Sequence, residues 1–154
     1  MHPWLDLDFS RLGAERRVIV GADKRGIRLR QLRKLLEFLQ SHADGDGNLQ
    51  GWWDRYPRGR WLPPAQQAAG TQLTMAAINL YAVTDWVIKP FTAKAACSFV
   101  ELVVEEDTTE QTPQWFVSHW WGEPVCDFVV AVEAHAEARG VAESAAYWVC
   151  AYAT

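Results

Sequence analysis

From Pro113 onward the hydrophobic period switches twice, and that double switch constrains the fold more than any other feature of the chain. Trp115 to Trp120 is a short run of aromatic and β-branched residues, bounded by Pro113 and by Gly122-Glu123-Pro124, which predicts a strand. Asp127 to Arg139 then follows helical spacing through Phe128, Val129, Val132, His135 and Ala136. Arg139-Gly140 supplies a cation for the helix C-terminus and a glycine stop. Tyr147 to Tyr152 is apolar again and predicts a second strand. Two apolar strands joined by an amphipathic helix form a parallel βαβ unit with a right-handed crossover.

The preceding residues predict a mainly helical module. Residues 1–26 are irregular apart from the β-prone Val18-Ile19-Val20, with a turn between Gly21 and Gly26. Between Ile27 and His42, Leu29, Leu32, Leu36 and Leu39 recur at helical spacing, so one helix face must be buried. The basic residues Arg25, Arg28, Arg30, Arg33 and Lys34 fall in the same stretch and are expected to form a solvated face. Residues 43–70 are turn-rich, with Pro57, Pro63 and Pro64, and Trp52, Trp53 and Trp61 are expected to pin this connection onto the helices. A helix is predicted over Leu73 to Val87, ended by Lys89-Pro90. A short one follows, opened by a capping box of Ser98 and Glu101. The acidic run 105–110 predicts a linker, dividing a helical, Pro/Trp-rich module at 1–110 from the βαβ unit at 111–154.

Composition narrows the partners. A net charge of −4 argues against nucleic-acid binding, which needs a basic surface to displace phosphate counterions. No window approaches the roughly 18–20 apolar residues of a membrane span. The start, Met-His-Pro-Trp-Leu-Asp, is neither basic nor continuously apolar, and three widely spaced cysteines fit free thiols in a reducing compartment. A cytoplasmic protein is expected. Nine tryptophans mark places where surfaces meet, since each buries a large area while its indole N–H seeks a partner.

Several motifs invite chemistry and fall short of it. Asp44, Asp46 and Asn48 space oxygens as a calcium loop does, but the closing carboxylate is replaced by Arg55 or Pro57, depending on where the loop is started. A plain turn is expected. His119, Cys126, His135 and Cys150 match no compact zinc spacing, so no metal is expected. Cys126 near a helix start could pair with His119 as a nucleophile, but burial as a small apolar residue is the better expectation. The stronger signal is positional, because open α/β sheets bind ligands beyond the carboxyl ends of their strands. Ser118, His119, Trp120, Trp121 and Glu123 stand there. The tryptophans could stack on a flat ring and the helix start could accept an anion. Alternatively, Trp120 and Trp121 seal the loop onto the helical module.

The run Phe116-Val-Ser-His119, then Glu123, Asp127-Phe128-Val129, Ala138-Arg-Gly140 and Tyr147-Trp148-Val149 resembles the opening of a TIR (Toll/interleukin-1 receptor) domain. Further runs, including Asn79-Leu-Tyr81, Ile88-Lys-Pro90, Cys97 to Leu102, Trp115 to Pro124 and Tyr147 to Ala153, resemble an uncharacterised family of large algal and protist proteins. The TIR resemblance implies a flavodoxin-like parallel sheet, used as a signalling adaptor or as an enzyme cleaving NAD. The family's catalytic glutamate lies beyond the second strand, so no residue here takes that role, and Glu123 holds the acidic first-loop position. The implied reading is an incomplete TIR-like domain, not active as it stands. Its complete form would bind a nucleotide such as NAD at the strand ends, with Ser118, His119, Trp120, Trp121 and Glu123 at the pocket mouth. The other reading is an interaction module that engages a protein partner, or another copy, through its tryptophans and an unpaired strand edge.

Overall fold

Ile19 enters the core while its neighbours Val18 and Val20 stay exposed, in a computed structural model that describes residues 16–55, 70–104 and 111–154. The β-prone run around Ile19 joins no strand. Instead the Ile19 N–H donates to the Glu101 carboxylate at 2.9 Å, and the Arg17 N–H to the Glu101 carbonyl at 2.8 Å. A 3-10 turn at Ala22–Lys24 then leads to strand β1 (Ile27–Arg28) and helix α1 (Leu29–Gln40). Helix α1 buries Leu29, Leu32, Leu35, Phe38 and Leu39, with Leu36 only partly covered. Arg25 is no part of a solvated face: its guanidinium donates to the carbonyls of Ile19 and Ala153 and lies 3.7 Å from Glu101.

The connection after α1 contains more structure than its turn residues predict. Strand β2 (Asn48–Trp53) pairs antiparallel with β3 (Gln72–Thr74), with an irregular register between Asn48 and Trp53. Trp52 lies stacked on Trp86 at 5.4 Å, and the Trp86 indole donates to the Trp53 carbonyl at 3.0 Å. These two tryptophans do pin the connection, whereas Trp61 and the three prolines lie outside the described residues. The Asp44 carboxylate accepts from the backbone N–H groups of Asp46 and Asn48.

The second helix, α2, differs from its predicted limits at both ends. Leu73 belongs to β3, and the helix starts at Leu80 because the Asn79 side chain caps it by accepting from the Ala82 N–H. It runs through Leu80–Val83, a π turn at Thr84–Ile88, and Lys89–Ala95. Pro90 therefore does not end it. Pro90 stands in the first turn of the last segment, just after the widened π turn, where a missing N–H is tolerated. Helix α3 (Phe99–Val103) has the expected capping box, with both Ser98 and Glu101 buried. The acidic run 105–110 lies outside the described residues.

The βαβ unit is present. Strand β4 (Trp115–Phe116) is parallel to β5 (Ala146–Trp148), and helix α4 (Val125–Arg139) joins them. Gly140 ends α4 in the left-handed region at φ 61°. Both strands are shorter than predicted. The ladder stops at Phe116, and β5 gives way after Trp148 to a helical turn, α5 (Cys150–Ala153). The sheet is also mixed, because β1 pairs antiparallel with the outer side of β5, giving the order β1-β5-β4 among the described residues. The side of β5 away from β4 is thus covered from within the chain, and the two edges of this sheet among the described residues belong to β1 and β4.

Sheet and core cross the expected division at 110/111. One cluster of buried side chains extends from Ile19 to Tyr152, and α1 packs on α4 with Arg33 donating to Glu133 at 2.6 Å. Gly26 sits at the crossing point. Its N–H donates to the Gln111 carbonyl and its carbonyl accepts from the Gln111 side chain, both at 2.8 Å. A Cβ there would lie 2.7 Å from the Gln111 oxygen. The whole is an α/β arrangement, and no helix among the described residues is long and apolar enough to cross a membrane.

Candidate functional site

Residues 115–120 alternate between partly buried and exposed positions, the mark of extended chain with two distinct sides. Trp115, Val117 and His119 turn inward, while Phe116, Ser118 and Trp120 are exposed. Helix α4 presents Phe128, Ala131, Val132 and His135 to the same space, on positions three and four apart. A groove of about 730 Å³ opens between them. It lies along β4 and the loop beyond its carboxyl end, with Tyr147 of β5 also lining it.

The aromatic side chains of this groove hold one another. Trp115 stacks on Tyr147 at 5.2 Å with 27° between planes, and meets the His135 ring edge-on at 5.1 Å. The His135 Nδ1 is 3.2 Å from the Tyr147 hydroxyl, which burial keeps protonated by raising its pKa. The His119 ring packs 4.3 Å from Phe128. Burial lowers the His119 pKa, and the charge of Glu123 offsets this only in part, so His119 is neutral near pH 7.

The two adjacent tryptophans have separate tasks. Trp121 faces the helical part of the chain, with its ring 5.4 Å from Tyr81 and its carbonyl accepting from the Leu80 N–H. It does not line the groove. Trp120 lines it and remains 73 % exposed. A β-turn closed by the Glu123 N–H on the Trp120 carbonyl brings the Trp120 indole back over Gly122. The fit is so close that a Cβ at Gly122 would lie 2.3 Å from the indole.

Of the five residues expected at the pocket mouth, the fold therefore gathers Ser118, His119, Trp120 and Glu123, and sends Trp121 elsewhere. Trp115, Phe116, Phe128, His135 and Tyr147 are among the lining residues that the motif did not reveal. The helical spacing of Phe128 and His135 carried the signal, but only as a generic buried face. The start of α4 is poorly suited to an anion. The Val125 N–H is occupied by the Ile78 carbonyl, and Asp127 places a carboxylate in the first turn.

The alternative chemistries find less support in the geometry. The Cys126 thiol donates to the Met75 carbonyl at 3.4 Å, in a depression beside Leu36 and Gln40 that His119 does not share. Burial, reinforced by Asp127, pushes its pKa up, the reverse of what a nucleophile needs. Among the described residues, no three His, Cys, Asp or Glu side chains converge as metal ligands would. Known protein-family models, curated proteins and solved structures contain no match to this chain.

Proposed function

We propose that the chain carries a TIR-like, flavodoxin-type βαβ start whose groove binds the flat ring of a nucleotide such as NAD. The observation that carries this reading is the groove itself. It is lined by stacked aromatic rings and opens at the carboxyl end of a strand in a parallel pair, where α/β sheets place ligands. Trp120, propped over Gly122 and exposed to solvent, offers a ring face at the mouth. Ser118, His119 and Glu123 supply the polar atoms that would orient a carboxamide. No catalytic group is assigned, so the proposed role is binding.

Titration of the folded protein with NAD, followed by tryptophan fluorescence, tests this reading. A saturable change that disappears in Trp120→Ala is expected. No change at millimolar NAD in a sample with native circular dichroism would refute it.

A second reading, an adaptor that binds another protein, is favoured by a different observation. Phe116, 71 % exposed, stacks on Trp148 at 4.8 Å at the rim of the groove, next to the open edge of β4. Exposed apolar surface beside an unpaired edge is the usual ground for strand addition. Analytical ultracentrifugation of wild type and Phe116→Lys separates the two: self-association abolished by the lysine supports the adaptor.

A further inference from the structure

We propose that this groove selects flat organic cations, of the N-alkylated pyridinium class, over neutral or anionic rings of the same shape. The inference rests on the ring-binding reading above and adds a charge preference to it. Among the described residues lining the groove, Glu123 is the only carboxylate, and no Lys or Arg is present. Asp127 adds a second carboxylate in the first turn of α4, the helix that forms the groove floor. His119 does not reverse this sign, because burial lowers its pKa and holds it neutral.

The walls act in the same direction. Indole faces carry negative electrostatic potential, and a cation placed over one is attracted more strongly where water is partly excluded. Trp120 at the mouth and Trp115 within provide two such rings on one continuous groove. Glu123 follows three residues after Trp120 in the same β-turn, its N–H bonded to the Trp120 carbonyl. The platform and the counter-charge are therefore fixed relative to each other by the backbone. A phosphate has no such partner, since the start of α4 is occupied and carries a carboxylate. In a dinucleotide the cationic ring would occupy the groove and its phosphates would lie outside.

Three closely related pyridine probes test the proposal: 1-methylnicotinamide (cation), nicotinamide (neutral) and nicotinate (anion). Each is titrated into the folded full chain by calorimetry, with indole N–H chemical shifts as a second readout. The cation is expected to bind about tenfold tighter than the neutral ring, and the anion most weakly. Glu123→Gln, which keeps the side-chain shape, should bring the cation down to the neutral level and leave nicotinamide unchanged. Added salt should narrow the same ratio in wild type, which serves as a check independent of any variant. Equal affinity for cation and neutral ring, or a ratio indifferent to both Glu123→Gln and salt, overturns the charge preference while leaving ring binding intact. Failure of all three probes overturns the ring-binding reading itself.

Discussion

The indole of Trp120 rests on the backbone of Gly122, so closely that no side chain larger than hydrogen fits between them. The φ of Gly122 is not in the left-handed range, so the need for glycine there comes from contact alone. Gly122→Ala should swing the indole off the groove. We expect a loss of about 1 kcal/mol in ring affinity, near the value of one aromatic contact, with stability changed by less than about 0.5 kcal/mol. Calorimetric titration beside a urea melt checks both. Retained affinity would show that Trp120 is no platform.

Trp120 and Trp121 should part company under truncation. Trp121→Ala removes the contact with Tyr81 and should cost roughly 1–3 kcal/mol of stability, less than a fully buried tryptophan would. Trp120→Ala, at an exposed position, should leave the urea midpoint within error and abolish the ligand response. The reverse pattern would assign the seal to the wrong residue.

Glu101 gives the protein an acid-sensitive joint. Burial raises its pKa, but hydrogen bonds from Ser98 and Ile19 together with Arg25 outweigh this and leave it below the usual value. A carboxyl with a depressed folded-state pKa stabilises fully above its unfolded value near 4.5, and that contribution is lost as pH falls through the folded-state value. Glu101→Gln should cost about 2–3 kcal/mol at pH 7. The gap from wild type should close in melts taken progressively below pH 4.5. A pH-independent gap would mean that shape, not charge, sets its role.

His119 titrates in the opposite chemical sense but over a neighbouring range. Its folded-state pKa lies below 6.5, so the unfolded chain takes up the proton first and stability declines as pH falls from about 6.5 downward. The charged imidazolium would also oppose a cationic ligand, with Glu123 on its own loop, His135 on α4 and Tyr147 on β5 as the other titratable groups of the groove. Relative to wild type, His119→Phe should flatten both the thermal midpoint and 1-methylnicotinamide affinity between pH 7 and pH 5.

The sequence expectations succeeded where a local pattern and its tertiary neighbourhood agreed. The run from Trp115, the helix through Phe128 and Val132, and the apolar stretch at Tyr147 were each legible because period and partner coincide. So was the Ser98–Glu101 cap, whose geometry is confined to four residues. The β1–β5 pairing was not legible, since Ile27 runs directly into α1 and only its register with Tyr147 makes it a strand. Residues 150–153 have strand-like composition yet turn helical, with Tyr152 buried against Phe99. At the candidate site, four of the five loop residues could be named from the motif. The division of Trp120 from Trp121 depends on where Tyr81 lies, forty residues away, and no local pattern carries that.

The central strand of the sheet is made after both of its neighbours. Ile27 and Trp115 both find their hydrogen-bonding neighbour in Tyr147. During synthesis, then, β1 waits through more than a hundred residues before β5 can pair with it, and the part of the α1 face that packs on α4 stays uncovered for most of that time. Closing so long a loop is an entropic burden that slows folding. The arrangement exposes the nascent chain to aggregation until β5 arrives. With its central strand made after both neighbours, the sheet should close in one concerted step once that strand is available.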